Sequence, residues 1–369
     1  MSNISDLVRD SIKQITPYSP GKSSREVKED LGLTEVTKLA SNENPLGPCR
    51  QAIEAMQQAA TKVYSYPDPL CRDLTEVLAD KWDVDPDGIL VGRGSDEIIH
   101  MMGLAFVNPG EEIIYSDPWF AMYPITAALM DAQAVTIRHR DFVHDLPAMA
   151  EAITEKTKLV LISNPYNPTG TIVTAQQVGE FMEAIPDHVI VGFDEAYYEY
   201  VDDLNYPNCL DYVREGRKAV VLRTFSKAYG LAGLRIGYGI APPELARALK
   251  QVREPFNVSS IAQAAALASL EDPDQVQRSF QLVQDGRQYL YEQFEQMGLE
   301  YVPTQANFIF VDVGIDSRKC FDELMRRGVT VRTGDIFGLP TYIRVTIGTM
   351  EQDRKFIEAL RDVLRCCEE

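Results

Sequence analysis

Histidine is scarce in this chain. The four present (His100, His139, His144 and His188) do not pair at metal-ligand spacing with one another or with a cysteine, which argues against a zinc site. The six cysteines (Cys49, Cys71, Cys209, Cys320, Cys366 and Cys367) form no CxxC and no regular spacing. A disulfide framework is therefore not expected, and free thiols in a cytoplasmic protein are. Positive charge is also short: 36 Lys and Arg stand against 55 Asp and Glu, for a formal net charge of −19. Nucleic acids and anionic membranes need a basic surface, so neither is an expected partner. No apolar run approaches the length of a membrane span, and the opening MSNISDLVRD lacks the apolar centre of a signal peptide.

What remains is an ordinary globular composition, 45% hydrophobic and 25% charged, in a chain long enough for two domains. Apolar runs of four to six residues recur with helical stretches between them. Examples are EEIIYSDP, AVTIRH, KLVLISNPYNPTG, HVIVGFDEAY and AVVLRTFSKAYG. This rhythm predicts an α/β fold with a mainly parallel sheet and helices on both faces, whose functional loops lie at the carboxyl ends of strands. Beyond Pro242–Pro255 the pattern changes. A helix over Glu244–Arg253, a long helical region over Ser260–Met297, and short strands around further helices predict a smaller second α/β unit.

One stretch organises the rest: TFSKAYGLAGLRIGY, Thr224–Tyr238. Lys227 follows a hydroxyl residue among small residues, a setting in which an amine can form a Schiff base with a carbonyl cofactor. Ser226 and Arg235 would be partners for a phosphate. GILVGRGSDEII reads as strand, glycine turn and helix, so the amides of Gly94, Ser95 and Asp96 would form an anion seat at a helix N-terminus. In SNPYNPTG, Asn167 could donate to a ligand oxygen or serve as an Asx-turn residue. In FDEAYYEY, Asp194 ends a buried strand and calls for a partner, either a protonated ring nitrogen or, as a helix N-cap, backbone amides. Tyr197 could reach a phenolic oxygen of the same ring. DPWFAMY offers Trp119 and Phe120 as stacking aromatics, and Arg344 interrupts the apolar strand of TYIRVTIGT, where a substrate carboxylate would match its fork. Arg332, in VTVRTG, is a similar case.

In that order and on strand ends, these segments resemble the fold-type I pyridoxal-phosphate (PLP) aminotransferases over essentially the whole chain. The resemblance implies a large PLP-binding domain (45–250), a smaller C-terminal α/β domain (251–369) and an N-terminal arm (1–44) packing with the small domain and a dimer partner. It makes Lys227 the cofactor-bearing lysine, Asp194 the pyridinium partner and Tyr197 the ligand of the ring oxygen, beside Asn167. Ser226, Arg235 and the Gly94–Asp96 amides would hold the cofactor phosphate, Phe120 would stack on the ring, and Arg344 would take the α-carboxylate. Tyr66 would reach the phosphate from a neighbouring subunit, which implies a homodimer with shared sites.

More narrowly, ITPYSPGK, KLASNENPLGP, YSYPDP, GRGSDEII and the ANFIF…VRTG…YIRVTIGT ending look like the histidinol-phosphate aminotransferase family. That implies exchange of an amino group between L-histidinol phosphate and 2-oxoglutarate in L-histidine biosynthesis. Tyr18, Asn44 and Arg332 would join Asn167 and Arg344 around the substrate, with Tyr18 and Arg332 near its phosphate. Trp119 and Phe120 depart from the smaller residue and tyrosine of many relatives; stacking survives and a hydroxyl is lost. Three other activities stay open: an aromatic amino-acid aminotransferase, a PLP decarboxylase of the threonine-phosphate type, and a non-catalytic PLP-fold module. The joint presence of Lys227, Asp194 and Arg235 speaks against the last.

Overall fold

The computed structural model describes residues 4–13, 15 and 24–368. Tyr18 lies outside the described residues. After short helical pieces ending with Ser24–Leu31, the chain enters through β1 (Thr37–Lys38). Seven strands then build the main sheet: β2 (Ile89–Gly92), β3 (Glu112–Asp117), β4 (Gln133–Arg138), β5 (Thr157–Ser163), β6 (Ile190–Asp194), β7 (Ala219–Thr224) and β8 (Gly237–Ile240). Their order is β2-β8-β7-β6-β5-β3-β4. Pairing from β7 through β4 is parallel, and β8 alone runs against its neighbours.

Strand periodicity sends alternate side chains to opposite faces. Along β5, Val160 and Ile162 pack with Phe193 and Val221 in one core, while Leu159 and Leu161 pack with Val220 and Leu222 in the other. Helices such as Arg72–Trp82 and Ala175–Ala184 cover the first face, and Ser95–Phe106 and Pro243–Gln251 the second. Burying each Val, Leu or Ile in this way stabilises the sheet by roughly 1.5–3 kcal/mol. Because both faces are covered, the polar residues left for chemistry gather at strand ends.

The remaining strands are β9 (Tyr301–Val302), β10 (Phe308–Asp312), β11 (Val329–Thr330), β12 (Arg332–Thr333) and β13 (Tyr342–Thr346). They form an antiparallel sheet in the order β12-β13-β10-β9, around a core of its own, and a parallel pair of β1 with β11. That pair matters for the site. It ties the segment Leu39–Asn44 to the C-terminal sheet, with Leu39 N–H donating to Thr330 O at 2.8 Å and Thr346 N–H to Leu39 O at 2.9 Å.

The long helical region expected over Ser260–Met297 is made of two helices, Ser260–Leu270 and Pro273–Gln296. Asp272 caps the second by accepting from the amides of Asp274 and Gln275, and Pro273 occupies its first turn, where no amide is needed.

Candidate active site

Two joined cavities lie at the carboxyl ends of β5, β6 and β7. The inner one, about 180 Å³, is lined by Gly94, Ser95, Asp96, Phe120, Asn167, Asp194, Tyr197, Ser226, Lys227 and Arg235, with Ser163, Ala196 and Thr224. The outer one, about 550 Å³, shares Phe120, Asn167, Tyr197 and Lys227 and adds Arg332 and Arg344. Its remaining wall is largely apolar, from Trp119, Pro124, Ile125, Ile336 and Phe337.

Lys227 follows β7 by three residues, and its Nζ donates to the carbonyls of Ser41 and Asn42 at 3.3 and 3.2 Å. Two loops of the chain far apart in sequence therefore meet at this amine. One position before β7 ends, Arg223 is buried in an ion pair with Glu195 at 2.8 Å, its guanidinium packed on the rings of Trp82 and Tyr198. Removing one member of such a pair strands a buried charge, at a cost of about 3–5 kcal/mol. The pair ties the strand that delivers Lys227 to the residue next to Asp194.

Asp194 ends β6 and is 5% exposed. Its Oδ2 accepts from the Tyr123 hydroxyl at 3.2 Å, while Oδ1 is buried with no protein partner. Burial pushes its pKa up to about 7, and the Asp96 charge adds to this; the Tyr123 bond, the Ala196 amide and the Lys227 charge oppose it. A cation meeting Oδ1 would restore the carboxylate.

At the other end of the inner cavity the helix Ser95–Phe106 begins at Gly94, whose φ of 79° suits glycine and which has no side-chain cap. A Cβ at Gly94 would stand 2.8 Å from Arg235 Nη2, the movable end of that side chain, so the positive φ rather than the space is what calls for glycine. Arg235 joins this cradle, its Nη1 donating to Ser226 Oγ at 3.2 Å and its Nη2 to Asp96 Oδ2 at 2.7 Å. Uncapped amides, a hydroxyl and an arginine form a donor set for an anion. An anion seat at one end, an orphaned carboxylate oxygen at the other and the Phe120 ring between them suit a flat, protonated heteroaromatic ring with an anionic arm.

Asn167 links the cavities. Its Oδ1 accepts from Arg344 Nη1 at 2.6 Å, and its Nδ2 donates to Tyr197 Oη at 3.5 Å. Arg344 Nη2 also donates to Ala40 O at 3.1 Å, which fixes the fork toward the outer cavity.

Two of the expected site residues line neither cavity of this chain. Asn44 lines neither cavity: its Nδ2 donates to Ala228 O and Ser279 Oγ at 2.8 and 2.7 Å, and its Oδ1 accepts from the Leu46 amide. Its oxygen thus closes a local turn and its NH₂ ties that turn to Ala228 and Ser279. Tyr66 is 82% exposed and stacks on Phe256 at 4.5 Å, away from this chain's cavities. Tyr123 and Asn42, by contrast, escape the sequence reading. Tyr123 does stand three residues after Phe120, one helical turn on, so that spacing was the available signal. Among the described residues no cluster of His, Cys, Asp and Glu could hold a metal ion.

Residues 34–360 match the family described as aminotransferase class I and II. The chain is 52% identical to the histidinol-phosphate aminotransferase of Moorella thermoacetica, over 96% of this chain and 92% of the relative. It is 44% identical to the histidinol-phosphate aminotransferase of Akkermansia muciniphila, over 98% of this chain and the whole of that one. Among solved structures, that of histidinol-phosphate aminotransferase from Sinorhizobium meliloti in complex with pyridoxal-5'-phosphate superposes with a TM-score of 0.90, at 28% identity, covering 98% of both chains.

Proposed function

The chain belongs to the class I and II aminotransferase family, and we propose that it exchanges an amino group between L-histidinol phosphate and 2-oxoglutarate in L-histidine biosynthesis, with pyridoxal 5'-phosphate as cofactor. The observation that carries this is the joined cavity, in which Lys227 stands between an anion seat at Arg235 and two further arginines, Arg332 and Arg344.

The residues fit the cofactor. Asp194 would face its ring nitrogen, Phe120 its ring face, and Tyr197 and Asn167 its phenolic oxygen. Gly94, Ser95, Asp96, Ser226 and Arg235 would surround its phosphate. When bound, the cofactor supplies a carbonyl for the amino group and a protonated ring that draws negative charge from the substrate Cα. Lys227 would take the proton from that Cα as a general base and return it as a general acid. Asp194 would hold the proton on the ring nitrogen throughout. Arg344 would fix the carboxylate of 2-oxoglutarate or glutamate with its fork. Histidinol phosphate has no α-carboxylate, so its phosphate needs a separate cation, and Arg332 on the same cavity would supply it.

The same reading divides the chain into an arm (1–44), a large domain (45–250) and a small domain (251–369). It includes a homodimer, because exposed Val63, Tyr64, Tyr66 and Leu70 give the loop before Cys71 an apolar surface that a second copy would cover. From there Tyr66 would reach the partner's cofactor phosphate. The reading is of a cytoplasmic enzyme; among the described residues no helix is long and apolar enough to cross a membrane.

The test is a single-turnover absorbance scan of the cofactor-loaded protein, mixed with histidinol phosphate and separately with phenylalanine. Loss of the cofactor band at least about tenfold faster with histidinol phosphate is expected. Comparable rates would replace this reading with an aromatic amino-acid aminotransferase, and failure to take up the cofactor would overturn it altogether.

A further inference from the structure

Asn42 is buried and stands in the left-handed backbone region, at φ 54°. Asparagine tolerates that conformation better than most residues, but it still calls for compensating contacts. Here every polar atom of the residue is used. Its amide N–H donates to Thr346 Oγ1 at 2.9 Å, and its Oδ1 accepts from the same hydroxyl at 3.2 Å. Its Nδ2 donates to Tyr197 Oη at 2.9 Å. Its carbonyl accepts from Lys227 Nζ at 3.2 Å and from Asn307 Nδ2 at 3.1 Å.

The direction of each bond follows from what the groups can do. A backbone N–H only donates, so Thr346 Oγ accepts from it and has its own proton to give to Asn42 Oδ1. The other end of the Asn42 amide, its NH₂, then faces Tyr197. On the opposite side Arg344 has no acceptor, so Asn167 must turn its oxygen to Arg344 and its NH₂ to Tyr197. Two N–H groups thus converge on the Tyr197 oxygen. The phenol accepts from both and keeps its single proton to donate, toward the wall that the two cavities share.

We propose that Asn42 is a positioning residue for amino transfer, which fixes the Tyr197 phenol as a donor into the cavity while its left-handed carbonyl seats the Lys227 ammonium beside it. This rests on the reading that Tyr197 donates to the phenolic oxygen of the cofactor. A donor there stabilises the deprotonated oxygen, so losing or turning it raises the pH midpoint of the bound cofactor's visible absorption.

Asn42→Gly is the informative variant, because glycine accepts the backbone conformation, keeps the carbonyl for Lys227 and drops only the amide. In the cofactor-loaded protein the midpoint should rise by about half to one unit, and kcat should fall about tenfold with KM changed less than about threefold. Asn42→Asp keeps the shape but can only accept from Tyr197, so its effect should be larger and in the same direction. In a Tyr197→Phe background, Asn42→Gly should move the midpoint by no more than about 0.3 unit further. A full additional shift in that background, or no shift in either single Asn42 variant, would overturn the proposal. If Tyr197→Phe alone left the midpoint unchanged, the reading of Tyr197 would fail and the role of Asn42 with it. A protein that binds the cofactor but does not turn over histidinol phosphate would sink the proposed reaction, while the absorption shifts would still decide the case of Asn42.

Discussion

The hydroxyl of Tyr123 donates to Asp194 Oδ2 at 3.2 Å, across 71 residues of sequence and in a fully buried setting. The bond leaves Oδ1 as the one acceptor without a protein partner on a carboxyl that lines the inner cavity. It therefore selects which oxygen a ring nitrogen would meet, and it partly offsets the burial that raises the Asp194 pKa.

Tyr123→Phe should weaken cofactor binding by about 1 kcal/mol, roughly five- to tenfold, because a hydrogen bond to the carboxylate is lost while the ring stays in place. The ring continues to pack edge-on against Phe120, at 5.7 Å. Titration of the cofactor-free protein by absorbance measures this directly, and an unchanged affinity would mean the bond does not orient Asp194.

The pH dependence of stability has a definite sign. Burial raises Asp194, Glu199 and Asp353 each to about 7. Between the ordinary carboxylate range near 4 and pH 7, these groups bind more protons folded than unfolded, so their contribution to stability falls as pH rises. The melting temperature of the cofactor-free protein should therefore carry a downward component across that window. Asp194→Asn should make that downward component shallower, since one of the raised carboxyls is removed. A slope unchanged by the substitution would show that Asp194 already titrates normally.

Elements with strong local signals were readable from sequence. RDLTEVLADKW reads as a helix and is one, Arg72–Trp82, and GILVGRGSDEII becomes a strand, a glycine turn and a helix. Lys227, Asp194 and Asn167 sit at or after the carboxyl ends of parallel strands, so their gathering on one cavity follows from a parallel sheet, and Arg235 joins them just before antiparallel β8. What escaped depends on distance. The direction of β8 is set by its neighbours β2 and β7, and nothing within GYGI encodes it. Asn42 meets Tyr197 across 155 residues, and its left-handed backbone is marked in SNENP only by being asparagine. Asn44, two positions later, looks equally functional in the sequence, and its NH₂ is bonded to Ala228 and Ser279, more than 180 residues away in sequence. The break at Asp272–Pro273 was encoded locally, by a capping residue and a proline, inside a stretch whose helical periodicity concealed it.

Arg332→Ala should separate two substrates. Arg332 and Arg344 pair across β12 and β13, so both project from one small sheet to the outer cavity. If Arg332 holds the phosphate, its loss should raise KM for histidinol phosphate by roughly 10²-fold, in line with about 1.5–3 kcal/mol for a charged hydrogen bond. Transamination of phenylalanine, which lacks that phosphate, should change less than about threefold in kcat/KM. Equal losses on both substrates would remove Arg332 from the phosphate.

Gly286 poses two opposed effects in one substitution. It lies within the helix Pro273–Gln296, where alanine is favoured over glycine by about 1 kcal/mol on propensity alone. A Cβ there, however, would stand 2.4 Å from Ile347 Cγ2 and 2.8 Å from Asp353 Oδ2. Both neighbours are fully buried, and Asp353 accepts from the Gly348 amide at 2.8 Å at the entry to the last helix. Overpacking of this kind costs about 1–3 kcal/mol, so the clash outweighs the gain in propensity. Gly286→Ala should be net destabilising, by up to roughly 2 kcal/mol in urea unfolding. The cause can be isolated with Ile347→Ala, which opens the space the new methyl needs. The double variant should be more stable than the sum of the two single losses predicts, by an interaction of about 0.5–3 kcal/mol. Strict additivity would show that the helix moves as a body and that the close approach at Gly286 does not constrain the packing of the small sheet.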